Sequence, residues 1–124
     1  MNAFNMARTA YAGTSAPIRT NRDTEYEVFA RITRQMKKAA ETPGDFPRLA
    51  HALHENRRLW NILAADVADE GNALPPELRA RIFYLAEFTA VHTGRILGGE
   101  GKVDVLIDIN TAIMRGLGKK EALA

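Results

Sequence analysis

Residues 45–68 read DFPRLAHALHENRRLWNILAADVA. Apolar side chains recur at Phe46, Leu49, Leu53, Trp60, Leu63 and Val67, and Asn56 takes one turn of the same stripe. Steps of three and four residues put all seven on one face of a helix, the spacing of a helix–helix seam. Asp45 stands where an N-cap belongs, and Pro47 is tolerated in the first turn. Ala50, Ala52, Ala64, Ala65 and Ala68 raise helix propensity and let a neighbour approach closely. Gly71 with Asn72 closes the helix. Trp60 and Leu63 are expected to meet Leu78, Ile82 and Leu85 of the following helix. Asn56 is expected to hydrogen-bond a backbone group or polar side chain inside the seam.

A seam needs partners, and the flanking sequence supplies them. Thr20-Asn21-Arg22-Asp23 fits the capping pattern that opens a helix. Tyr26, Phe29, Ile32 or Thr33, Met36 and Ala39/Ala40 then form an amphipathic stripe over about 22–41. Thr42-Pro43-Gly44 stops it. On the other side, Pro75-Pro76-Glu77 opens a third helix. Leu78, Ile82, Leu85, Thr89, His92 and Ile96 make one stripe on it, and Phe83, Ala86, Ala90 and Leu97 a second. Tyr84, Phe88 and Val91 fill much of the remaining side, so this helix is expected to be central. Gly98-Gly99 ends it.

The last segment is ambiguous. Val103, Val105, Ile107 and Ile109 alternate as in a strand, whereas Leu106, Ile109 or Asn110, Ile113 and Leu117 suit a helix. A strand would have no partner elsewhere in the chain. The reading is therefore a helix over about 103–117, capped by Gly116 or Gly118. The fold class is all-α: a single-domain bundle of about four main helices over 21–118, with a flexible N-terminal arm at 1–20 and a flexible tail at 119–124.

The chain has 124 residues, enough for one domain with a single core. With 17 Lys plus Arg against 15 Asp plus Glu, the net charge is only +2, a weak argument for nucleic acid. The absence of cysteine excludes a disulfide scaffold, a Cys-ligated zinc finger and an iron–sulfur site. No apolar run reaches the roughly 18 residues of a membrane span, and the N-terminus lacks the apolar stretch of a secretory signal. A cytoplasmic protein is expected.

No catalytic constellation emerges. His51 and His54 share a helix face, but the spacing matches neither zinc-protease pattern and no third ligand stands near, so no metal is expected. His92 lies on the core stripe and reads as a hydrogen-bonded interior histidine. Ser15 is the sole serine. Gly94, Gly98, Gly99 and Gly101 follow no strand and read as helix termination rather than a phosphate cradle. Asp66, Asp69 and Glu70 read as solvated acids, with Arg79 or Arg81 as possible counter-charges. Arg31, Arg34, Lys37, Lys38, Arg57 and Arg58 could contact phosphates, yet no aromatic stacking platform accompanies them. The expectation is a non-enzymatic protein with no cofactor.

Several stretches together resemble a known family. They are Leu53-His54-Glu55-Asn56-Arg57-Arg58-Leu59-Trp60, Leu63-Ala64-Ala65-Asp66-Val67, the run from Asn72 to Leu85 and the run from Ile107 to Leu117. Thr24-Glu25-Tyr26-Glu27-Val28-Phe29 and Asn2-Ala3-Phe4 add to them, the family usually having Tyr where Phe4 stands. The chain is similar, over about residues 2–118, to the flagellar biosynthesis regulator FlaF family. The resemblance implies a small helical protein tied to flagellin, acting as a secretion chaperone and a regulator of flagellin synthesis. It implies flagellin as partner, with the regulator FlbT as a related factor, and it carries over no catalytic residues. The alternative is a direct RNA-binding regulator of flagellin messenger RNA.

The contact surface is expected from surplus apolar residues. Phe83, Ala86, Ala90 and Leu97 on the third helix, Tyr26, Phe29 and Met36 on the first, and Phe4, Met6 and Tyr11 in the arm are the candidates. They would form a groove for a flagellin helix, floored by small residues, with the arm or first helix as a flap; the alternative is that the first and fourth helices simply cover both sides of the third.

Overall fold

The computed structural model describes the backbone of residues 21–123 and the side chains of residues 25–116. Four α-helices follow in order: α1 (Asn21–Ala40), α2 (Phe46–Ala68), α3 (Pro76–Leu97) and α4 (Asp104–Leu123). Among the described residues there is no strand. Residues 1–20, with the expected arm and the Thr20 cap, lie outside the described residues.

The helix ends follow the local sequence. After α1, the Thr42 hydroxyl donates to the Lys38 carbonyl at 2.8 Å, and Gly44 takes a φ of +92° that favours glycine. The Asp45 carboxylate caps α2 by accepting from the Arg48 amide at 3.2 Å. At the far end of α2, the Arg79 guanidinium donates to the carbonyls of Val67 at 3.0 Å and Asp69 at 2.9 Å. Arg79 therefore satisfies backbone acceptors left orphaned by the helix end. α3 closes in a Schellman motif. Gly99 sits at φ +83°, its amide donates to Ile96 at 3.0 Å, and the Glu100 amide donates to Arg95 at 2.8 Å.

The last segment is the helix the apolar spacing favours. Val103, Leu106 and Asn110 are buried at three- and four-residue steps, which an alternating strand would not give. The helix does not stop at Gly116 or Gly118 but runs to Leu123. Glycine weakens a helix by only about 1 kcal/mol, and Lys119-Lys120-Glu121-Ala122-Leu123 are good helix formers.

Two apolar clusters make the core. Met36 and Ala39 of α1 meet Ala52 and Leu53 of α2, Ile96 of α3 and Val103 and Leu106 at the start of α4. Phe29 and Ile32 of α1 meet Leu59 and Trp60 of α2 and Ala86 of α3, with Leu63, Ile82, Leu85, Ile109 and Ile113 packed around them. Residue numbers rise along α1 as they fall along α2, and the same reversal holds at each later step. The topology is therefore up-down-up-down. Leu63, Ile82 and Leu85 join Trp60 as the seam requires, though each stays half-buried, as does Leu78.

Polar side chains lie between the two clusters, and all are almost wholly enclosed: Thr33, Asn56, Thr89, Thr93 and Asn110. The Asn110 amide nitrogen donates to Asn56 Oδ1 at 2.8 Å and to Thr33 Oγ1 at 3.2 Å. The Trp60 indole N–H donates to Asn110 Oδ1 at 3.0 Å. The Thr33 hydroxyl in turn donates to the Phe29 carbonyl. Side chains from α1, α2 and α4 thus share one network.

The extensive helix contacts are α2 with α3, α1 with α4 and α1 with α2. α3 is therefore an outer helix rather than the central one. Its principal neighbour, α2, covers only one side, because a four-helix bundle of this connectivity buries one stripe per helix. His92 is half-buried rather than interior: its ring stacks on Phe88 with centroids 5.5 Å apart, and Nε2 lies 3.0 Å from the Lys102 carbonyl. It ties the end of α3 to the loop before α4. Asp66 is buried, against the expectation of a solvated acid, because it falls seven residues after Leu59 on the covered face. Asp69 and Glu70 are exposed.

Trp60 is 1% exposed and packs edge-on against Phe29 at 6.0 Å between ring centroids. Trp60→Ala is expected to cost about 3–5 kcal/mol as a buried large-to-small change. Trp60→Phe keeps the ring contact but strands Asn110 Oδ1, and is expected to cost about 1–3 kcal/mol. Urea unfolding of both variants, with equal m-values, checks the order.

Candidate partner-binding surface

Four of the proposed contact residues are placed differently from the rest by α1 and α3. Phe29 and Met36 are fully buried in the two core clusters. They belong to the stripe with which α1 covers α2, so they cannot wall a groove. Ala86 is also buried, beside Trp60, where its small side chain lets α3 approach α2. Ala90 is half-buried at the border of the same contact. Tyr26, Phe83 and Leu97 are exposed. Phe4, Met6 and Tyr11 lie outside the described residues.

A different set of residues dominates the exposed surface of α3. Its core-facing side carries Ile82, Ala86, Thr89, Thr93 and Ile96. At 100° per residue the opposite side is centred on Tyr84 and Val91, with Phe88 one step away. Val91 is 67% exposed and Tyr84 64%, and Phe88 is also open to solvent. Phe83 and Leu97 flank this stripe, and Gly94 has nothing within 4 Å of where a Cβ would stand. The stripe follows the i, i+4, i+7 rule of an amphipathic seam, but no described helix covers it. The sequence spacing already displayed it. Reading α3 as the central helix assigned these side chains to packing and so hid them as a surface.

Charges interrupt this face without dominating it. Glu87 and Arg95 lie within the exposed arc and Arg81 at its edge, all exposed. The basic residues elsewhere are dispersed. Arg34, Lys37 and Lys38 are exposed on α1; Arg57 and Arg58 are exposed on α2, where Arg58 lies 3.8 Å from Glu55. Arg31 is half-buried.

His51 and His54 are both exposed on α2, and among the described residues no group of three or more His, Cys, Asp or Glu side chains could hold a metal ion. No described helix is long and apolar enough to cross a membrane.

The fold and this surface define a class: a small antiparallel helical module with one apolar helix face left open. The sequence model of a family described as "Flagellar protein FlaF" matches residues 7–117. The chain belongs to the FlaF family, and with it to the proteins of flagellar biosynthesis or its regulation. No curated protein and no solved structure matches the chain.

The burial pattern separates the two kinds of aromatic. Tyr84→Asp and Val91→Asp should each change unfolding free energy by no more than about 0.5 kcal/mol, as solvent-facing substitutions do. Phe29→Asp should abolish the cooperative transition, because it buries an unpaired carboxylate. Circular dichroism melts of the three variants decide between these placements.

Proposed function

We propose that this protein is a non-enzymatic, cytoplasmic flagellin-binding chaperone for export, and that through flagellin it feeds back on flagellin synthesis. One observation supports the reading beyond family membership: the open Tyr84-Phe88-Val91 face of α3. Flagellin awaiting export has terminal segments that become helical coiled coil only in the filament. Their apolar stripes would self-associate if left free. An amphipathic segment can lay such a stripe along a preformed helix face, with anchors at i, i+3/i+4 and i+7. Ordering the segment on contact subtracts from affinity, which suits a client that must be handed on. FlbT is a candidate further partner of the same complex.

Co-expression with flagellin tests the proposal. A stoichiometric complex is expected in cleared lysate. Tyr84→Asp combined with Val91→Asp should lower the captured flagellin at least tenfold, since one central anchor pair typically carries two or more kcal/mol of an interface. Arg58→Ala should leave capture unchanged. Undiminished capture by the double variant would move the contact surface elsewhere. Copurifying nucleic acid, with binding that falls steeply as salt rises, would favour the RNA-binding alternative instead.

A further inference from the structure

α3 is held by fewer specific bonds than the other three helices. Its extensive contact is with α2 alone, whereas α1 is in extensive contact with both α2 and α4. Among the large apolar side chains of α3, Ile96 is buried, while the three aromatics and Val91 are exposed. The network of Trp60, Asn110, Asn56 and Thr33 joins α1, α2 and α4 and includes no side chain of α3. Among the described residues, the side-chain hydrogen bonds that α3 makes to other segments lie toward its ends: Arg79 to the carbonyls of Val67 and Asp69, and His92 to that of Lys102.

The middle of the α2–α3 contact is polar and unpaired. Ala86 lies in the cluster of Trp60, and Ile96 in that of Leu53, so Asn56 and Thr89 fall in the layer between them. Both are fully enclosed, and neither Asn56 Nδ2 nor Thr89 Oγ1 has a hydrogen-bond partner. Closing α3 onto α2 takes these two groups out of water without replacing the bonds they lose, which works against the apolar burial gained. Lifting α3 returns both groups to water and leaves the network of the other three helices whole.

We infer that α3 is a detachable helix: it lifts off α2 as one unit, turning on the connecting segments 69–75 and 98–103, while α1, α2 and α4 stay folded. Local opening of this kind costs less than global unfolding where few buried contacts hold an element. It uncovers Trp60 and the inner stripe of α3, so the open state offers more apolar surface than the Tyr84-Phe88-Val91 face alone. The motion belongs to the free protein and does not depend on flagellin binding.

Native-state hydrogen exchange of the full chain, resolved by residue with NMR at low urea concentrations, tests the motion. After correction for intrinsic rates, the slowest amides of α3 are expected to exchange at least tenfold faster than the slowest amides of α1 and α2. Their urea dependence should be smaller than that of the global transition. α3 amides that share the rate and urea dependence of α1 and α2 overturn the inference. Thr89→Val keeps the shape of the side chain and removes the unpaired hydroxyl, and is expected to slow α3 exchange at least threefold. Unchanged or faster exchange in that variant overturns the inference, because the hydroxyl would then not be working against closure. Thr93→Val is the control, since its hydroxyl already donates to the Thr89 carbonyl at 2.6 Å, and no slowing is expected. Equal slowing by both variants also overturns it, because added apolar contact rather than the unpaired group would then set the rate. Flagellin capture is a separate result, and failure of either leaves the other standing.

Discussion

The bundle depends on one buried polar contact, the Asn110 side chain held between Trp60, Asn56 and Thr33. An amide in an apolar core is costly unless its oxygen and nitrogen both find partners. Asn110 finds three, from two other helices, and only one axial register of α4 brings it to them. A slip of one turn would bury the amide against Leu or Ile and strand the indole N–H. The contact thus converts a generic requirement for apolar packing into one arrangement of α1, α2 and α4, as buried polar residues do in helical assemblies where they fix register. The two apolar clusters on either side then supply the bulk of the burial without having to specify the register.

α3 is held on different terms. Three of its four buried positions are small or hydroxylated, Ala86, Thr89 and Thr93, and the fourth is Ile96. The Thr93 hydroxyl donates to the Thr89 carbonyl of its own helix, so it satisfies itself without reaching across. Small side chains let α3 lie close on α2, while its aromatic residues, Phe83, Tyr84 and Phe88, are exposed. That division explains why so apolar a helix sits at the edge of the bundle. Its aromatic surplus is not spent on the core, because Trp60 and Phe29 already fill the layer it would otherwise occupy.

Most of this was legible in the sequence, for local reasons. The seam of α2, the stop at Pro43-Gly44, the Asp45 cap and the double-glycine end of α3 are each set by residues within a turn of one another. The stripe positions of Asn56 and Trp60 were visible as well, and Asn56 could be marked as a polar residue in need of a partner. Its partner could not be named. Asn110 stands 54 residues from Asn56 and 77 from Thr33, and no periodicity links such positions. Helix order in space was equally hidden. An apolar surplus on α3 fits a central helix and an edge helix with an open face equally well. The choice fell only when Phe29 and Met36 proved to fill the core, which left α3 without a covering helix and moved the candidate surface from Phe29, Met36 and Ala86 to Tyr84, Phe88 and Val91.

An open aromatic stripe on a small bundle is an association hazard unless something limits it. Glu87 and Arg95 fall within the stripe's own arc, with Arg81 at its edge. A second copy approaching in an antiparallel sense would bring unlike charges together, but a parallel approach would set like against like. Such interleaved charges cost little to a client segment with a complementary pattern and more to an arbitrary apolar surface, which is how specificity is gained by penalising the wrong partner. The stripe is also short: between Tyr84 and Val91 it spans about two turns, or roughly 10 Å. Two turns offer too little area for a tight dimer and enough for two or three anchor side chains of a segment that continues onto neighbouring surface. The geometry of the face therefore suits the anchor side chains of a short helical segment better than a second copy of the chain.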